Sequence, residues 1–120
     1  MTQRPLQRSH VPILWLLFGA GGMLAALFGP MLVLISGIAV PLGWLPASIM
    51  RYRTMHALAA NPLGKVVLFF LLGLLLWHAA HRIYHSLHDI GIRGGFVARL
   101  LTYGVAALAT LVVVWALLAI

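Results

Sequence analysis

Three long apolar blocks organise this chain. They are "VPILWLLFGAGGMLAALFGPMLVLISGIAVPLGWL" (11–45), "LGKVVLFFLLGLLLWHAAHRI" (63–83) and "FVARLLTYGVAALATLVVVWALLAI" (96–120). Each holds at least the roughly 20 residues that a helix needs to cross a hydrocarbon core of about 30 Å. A helix that is apolar on every side has no face for water, so its neighbours are lipid or other apolar helices. The pattern predicts an all-α membrane protein with three transmembrane helices. It forms a single domain over 1–120, with spans at about 12–42, 63–89 and 96–119. The first block is longer than a secretory signal and no A-x-A-like site follows it, so it is read as a retained span.

Smaller signals punctuate the blocks. Pro30 lies inside the first and should kink it, because its ring displaces the carbonyl four residues back. Asn61-Pro62 is a helix start, with Asn61 as cap and Pro62 in the first helical position. Gly91 is the matching stop. Between the first two spans, "PASIMRYRTMHALAAN" (46–61) places Ile49, Tyr52 and Met55 on one side and Arg51 and Arg53 off it. That pattern predicts a short interfacial helix lying among the headgroups.

Composition sharpens the picture. Only 8% of residues are charged and 63% are hydrophobic, whereas a soluble domain carries about 25% charged residues. The absence of cysteine excludes disulfides, iron–sulfur ligation and thiol chemistry from this chain. The net charge of +7 sits mostly at span ends, which fits orientation and phospholipid contact better than nucleic acid. Arg4, Arg8, Arg82, Arg93 and Arg99 would lie on one side of the membrane, and Arg51, Arg53 and Lys65 on the other. Five against three predicts a cytoplasmic N-terminus and a periplasmic C-terminus.

One stretch departs from the rest. "WHAAHRIYHSLHD" (77–89) holds four of the six histidines and Asp89, the only acidic residue. At about 100° per residue, His78, His81, His85 and His88 fall within a wedge of roughly 80°, with Arg82 and Asp89 flanking it. A helix from Pro62 to Ile90 would be about 44 Å long, more than the hydrocarbon thickness. His78 and His81 then lie inside the membrane edge, while His85, His88 and Asp89 reach the interface. Asp89 is expected to pair with His85 or Arg82. The two outer histidines also read as a solvated helix end, where the dipole favours cations. Ionisable groups within a span are costly and face protein, water or a ligand, which singles out His81 and Arg82.

Trp15, Arg99 and Tyr103 reach the same depth from the other two spans. In "FGAGG" (18–22), Gly19, Gly21 and Gly22 remove side-chain bulk, either for helix packing or for a ligand. Trp15 reads equally as an interfacial anchor. Taken together these residues describe an aromatic wall, a bulk-free floor, a cation and an imidazole. Such a site suits a flat molecule with a polar head and an apolar tail. Haem b would need a second imidazole from another helix. A zinc site lacks a cysteine or glutamate to complete it. A transporter's proton relay lacks carboxylates within the spans. Quinone oxygens need hydrogen-bond partners and a neighbouring positive charge, which imidazole and guanidinium supply. The residues alone leave these readings open, with quinone fitting best.

A resemblance goes further. "RSHVPILWLLFGAGGM" (8–23), "PLGWLP" (41–46) and "HRIYHSLHD" (81–89), in a three-span chain of this length, resemble the small hydrophobic membrane anchor, or D subunit, of bacterial quinol:fumarate reductase. The likeness runs from about Arg8 to the C-terminus, and the chain departs from it at Tyr84, where relatives often carry another histidine. The resemblance implies a multi-pass inner-membrane anchor that is not catalytic on its own. Its partners would be a flavoprotein, an iron–sulfur protein and a sister membrane anchor, the C subunit. It implies menaquinone bound between subunits, with Trp15, Phe18 and Gly19 at the wall and floor and His81 and Arg82 at the polar end. His81 is the candidate proton acceptor. No metal site is expected in this chain, and haem is not expected. The alternative is a haem b cytochrome anchor of a succinate:quinone oxidoreductase.

Overall fold

The computed structural model describes residues 11–92 and 94–120. Arg4, Arg8 and Arg93, three of the five arginines on the predicted cytoplasmic side, therefore lie outside the described residues. The architecture is all-helical, with no strand among the described residues. Helix α1 spans Val11–Leu34 and continues through a π-helical turn, Ile35–Ala39. A 3₁₀ turn, Ala47–Met50, and helix α2, Tyr52–Ala60, make the connector. Helices α3, Pro62–Asp89, and α4, Gly95–Ala119, complete the chain. Three stretches are long and apolar enough to cross a membrane: Trp15–Ala39, Pro62–Asp89 and Gly95–Ala119.

The local signals explain where the helices begin and end. The Asn61 side chain accepts a hydrogen bond from the Leu63 amide at 2.9 Å, and Pro62 sits where its missing N–H would have had no helical partner. At the other end of α3, Gly91 takes φ +84°, a conformation that side chains with a Cβ resist. The Gly91 amide then bonds His88 O at 3.1 Å and the Ile92 amide bonds Leu87 O at 2.9 Å. This closes the helix in a Schellman motif. Helix α1 passes through Pro30 without a break. The ladder changes to π-helical from Ile35, where the Ser36 hydroxyl donates to Leu32 O at 2.6 Å, a back-bond that loosens the ordinary helical ladder.

Packing is thin. Helix α3 lies against both α1 and α4, whereas α1 and α4 make no comparable contact with each other. Among the described residues, the buried ones are Gly21, Ala39, Ala80, Ala106 and Leu117. Four of these five are glycine or alanine, the size that lets helix backbones come close where lipid offers no hydrophobic drive for association. Large apolar side chains such as Leu118 (77% exposed) and Met23 (76%) are covered by none of the described residues, so the bilayer or other proteins must cover them. Two threonine hydroxyls of α4 bond back to their own helix. The Thr110 hydroxyl donates to Ala106 O at 2.8 Å, and the Thr102 hydroxyl bonds Ala98 O.

Candidate functional site

The close approach of α1 to α3 starts the site. A Cβ at Gly21 would collide with the Leu74 carbonyl and lie 2.7 Å from the His78 Cβ. A Cβ at Gly22 would lie 2.8 Å from His78 Cε1. Both glycines thus make room for α3 and the His78 ring. That ring stacks on Phe18, with centroids 4.6 Å apart and planes at 23°. Its Nδ1 donates to the Phe18 carbonyl oxygen at 3.0 Å, so the hydrogen sits on Nδ1. His78 is therefore a packing element that ties α1 to α3.

One turn further along α3 the arrangement opens into a cavity of about 580 Å³, within the range of roughly 300–1,000 Å³ usual for small-molecule sites. All three spans line it. Helix α1 contributes Trp15, Leu17 and Phe18, α3 contributes Gly73, Leu74, Trp77 and His81, and α4 contributes Tyr103. The lining is apolar and aromatic except at the His81–Tyr103 end. Phe18 lies 4.1 Å from the His81 ring and 6.2 Å, edge-on, from Trp15. His81 Nδ1 and the Tyr103 hydroxyl are 2.8 Å apart. Tyr103 stacks on Trp77 with centroids 6.1 Å apart, and the Trp77 indole donates to the Thr110 hydroxyl at 3.2 Å.

The residues expected from the sequence divide cleanly. Trp15, Phe18 and His81 meet in one cavity, drawn from two spans at a common depth. Gly19 is not in the lining, and a Cβ there would meet nothing within 4 Å. Arg82 is outside the lining too, exposed on α3. His85 continues the stripe, its ring 4.3 Å from that of His81, and Arg99 lies 5.8 Å over the Tyr84 ring. The expected pairing of Asp89 is not found. Asp89 is exposed, and among the described residues it makes no ion pair with His85 or Arg82. Solvated and at a helix end, it gains little from such a pair. Among the described residues, no group of three His, Cys, Asp or Glu is gathered to hold a metal ion.

Comparison with known proteins decides the family. The family model for the D subunit of fumarate reductase matches residues 5–118. This chain belongs to the fumarate reductase D-subunit family. Among similar proteins, the fumarate reductase D subunit of Mycobacterium bovis is 43% identical over 118 residues, covering 96% of this chain and 92% of the relative. The Shewanella putrefaciens protein of the same name is 41% identical over 110 residues, 91% of each chain. That of Vibrio parahaemolyticus is 40% identical over 104 residues, 87% of this chain and 83% of the relative. Membership makes the chain a membrane anchor of fumarate reductase, a multi-pass inner-membrane protein that works within a complex of several subunits.

In this member of the fumarate reductase family, sequence reasoning misses part of the wall. Trp77 and His81 are one helical turn apart and so share a face, which is the signal that could have placed Trp77 in the lining. Tyr103 has the right depth in the sequence, but depth alone does not reveal that its hydroxyl meets His81.

Proposed function

We propose that this subunit binds menaquinol in the three-helix cavity and takes part in its oxidation, while tethering a flavoprotein and an iron–sulfur subunit to the cytoplasmic face beside a sister anchor. The observation that carries the reading is the convergence of Trp15, Phe18 and Trp77 around a space whose polar end is His81 paired with Tyr103. A flat ring system fits between such aromatic walls, and its oxygen would meet the imidazole edge. When bound, the quinol would supply two protons and two electrons, the electrons passing to the iron–sulfur subunit. His81 then holds a hydrogen bond to the ligand oxygen and accepts a proton at a ring nitrogen. Trp15 and Phe18 orient the ring and exclude water. Arg82 and Gly19 serve the ligand from the side that a sister anchor would cover, with Arg82 supplying positive charge.

The test is the complex itself. Purified in detergent, it is expected to carry extractable menaquinone, and Trp15→Ala should lower that occupancy several-fold while the subunits stay together. An assembled complex without quinone, or full occupancy in the Trp15→Ala variant, would overturn the assignment. The orientation has its own check. With the N-terminus cytoplasmic, a reporter that works only in the periplasm should be active when fused after Ile120. Activity there of a reporter restricted to the cytoplasm would reverse the topology.

A further inference from the structure

The Tyr103 hydroxyl sits 2.8 Å from His81 Nδ1, yet the proposed role of His81 needs only one nitrogen for the ligand. The second nitrogen is the one Tyr103 holds. We propose that Tyr103 is a positioning residue: by binding Nδ1 it fixes the His81 ring so that Nε2 is the atom presented to the ligand. This rests on the reading of the cavity as a quinol site and deepens it.

Three observations support it. Among the described residues Nε2 of His81 has no hydrogen-bond partner, while Nδ1 is taken. The imidazole is also crowded by rings, Phe18 at 4.1 Å and His85 at 4.3 Å, so its orientation is restricted. Tyr103 is itself held. Its ring stacks on Trp77, the Trp77 indole donates to Thr110, and the Thr110 hydroxyl donates to the backbone of α4 at Ala106. A line of contacts therefore runs from the α4 backbone to the histidine, and it crosses between α3 and α4 through Trp77.

The chemistry of a hydroxyl gives this contact a further property. A phenol both donates and accepts, and the partner of one imidazole nitrogen sets what the other can do. When the Tyr103 hydroxyl donates to Nδ1, Nε2 carries hydrogen and suits a quinone carbonyl. When Nδ1 carries the hydrogen and the hydroxyl accepts it, Nε2 is a base that suits a quinol hydroxyl. Tyr103 can thus satisfy His81 in both tautomers, and the two tautomers match the two redox forms of the ligand. A phenylalanine could serve neither.

The experiment is a double-mutant cycle in the intact complex, with a short-chain naphthoquinol as donor and fumarate as acceptor. Tyr103→Phe keeps the ring on Trp77 and removes one oxygen. It should lower kcat about five- to a hundredfold, the cost of leaving a partly buried nitrogen unpaired, with KM changed less than about twofold. In a His81→Ala background the same change should do nothing further, because residues acting as a unit are not additive. Wild-type kcat in Tyr103→Phe would overturn the proposal. So would an equal loss in both backgrounds, which marks a merely structural tyrosine. Wild-type turnover in His81→Ala alone would remove the quinol reading and this inference with it. A dead His81→Ala beside a normal Tyr103→Phe removes only this inference. If the phenylalanine variant fails to assemble, a ring-fluorinated tyrosine at 103 retains every hydrogen bond but makes the phenol more acidic. It should displace the pH profile of kcat, and an unmoved profile would overturn the proposal.

Discussion

Replacing His81 with alanine should slow quinol oxidation by the assembled complex about ten- to ten-thousandfold, the range for loss of one general base. Fumarate reduction from a soluble electron donor should stay near normal. The split follows from where the residue stands. His81 lines the cavity that the three spans share, and on the proposed reading fumarate would be reduced elsewhere in the complex. Packing loss alone gives a different result. Alanine leaves the Phe18 ring and the Tyr103 hydroxyl without their partner, but His78 still joins α1 to α3 through its bond to Phe18 O. The helices should stay together and the proton chemistry should go. Quinol oxidation at the wild-type rate in an assembled His81→Ala complex would put the site elsewhere.

Gly21→Val should strongly damage assembly. A Cβ at this position meets the Leu74 carbonyl and, at 2.7 Å, the His78 Cβ. A backbone oxygen cannot turn aside as a flexible side chain can. Helix α1 must instead move away from α3, at a cost of about 1–3 kcal/mol or more for overpacking. Because α1 carries Trp15 and Phe18, that movement also opens the cavity. The expected result is a several-fold fall in recovered complex, with quinol oxidation lowered at least about tenfold in what remains. Gly29→Ala provides the contrast, since a Cβ there meets nothing within 4 Å and a surface change of this kind stays within about 0.5 kcal/mol. Equal yields from Gly21→Val and wild type would mean that α1 and α3 are not in this contact within the complex.

Much of this was legible in the sequence because the bilayer imposes simple rules. Apolar length alone located the three spans, and Asn61-Pro62 and Gly91 marked the ends of α3 through their backbone chemistry. Helical rise converts residue number into height, which is how depth brought Trp15, His81 and Tyr103 to one level; the cavity gathers those three and leaves out Arg82 and Arg99, while Phe18 came from the resemblance. Rotation about the helix axis is harder to read. Gly19 and Gly21 stand two residues apart, yet only Gly21 faces α3. Arg82 follows His81 directly, yet only His81 faces the cavity. Those choices depend on which neighbour each helix meets, and the apolar periodicity of a span surrounded by lipid says little about that. The π-helical turn at Ile35–Ala39 was hidden for a related reason, since an apolar run looks the same whether its ladder skips four or five residues.

Because α1 and α4 barely meet each other, the cavity they share with α3 would be open between them to the plane of the membrane. A ligand with a long hydrocarbon tail already lives in the plane of the membrane and could slip in sideways, head first, leaving its tail among the lipids. None of the described residues would have to swing aside, unlike enzymes whose turnover waits on a moving lid. Supply would be set by the ligand's diffusion within the membrane and by whatever the neighbouring subunit places across the opening. On the proposed reading, the speed of exchange would be a property of the surroundings.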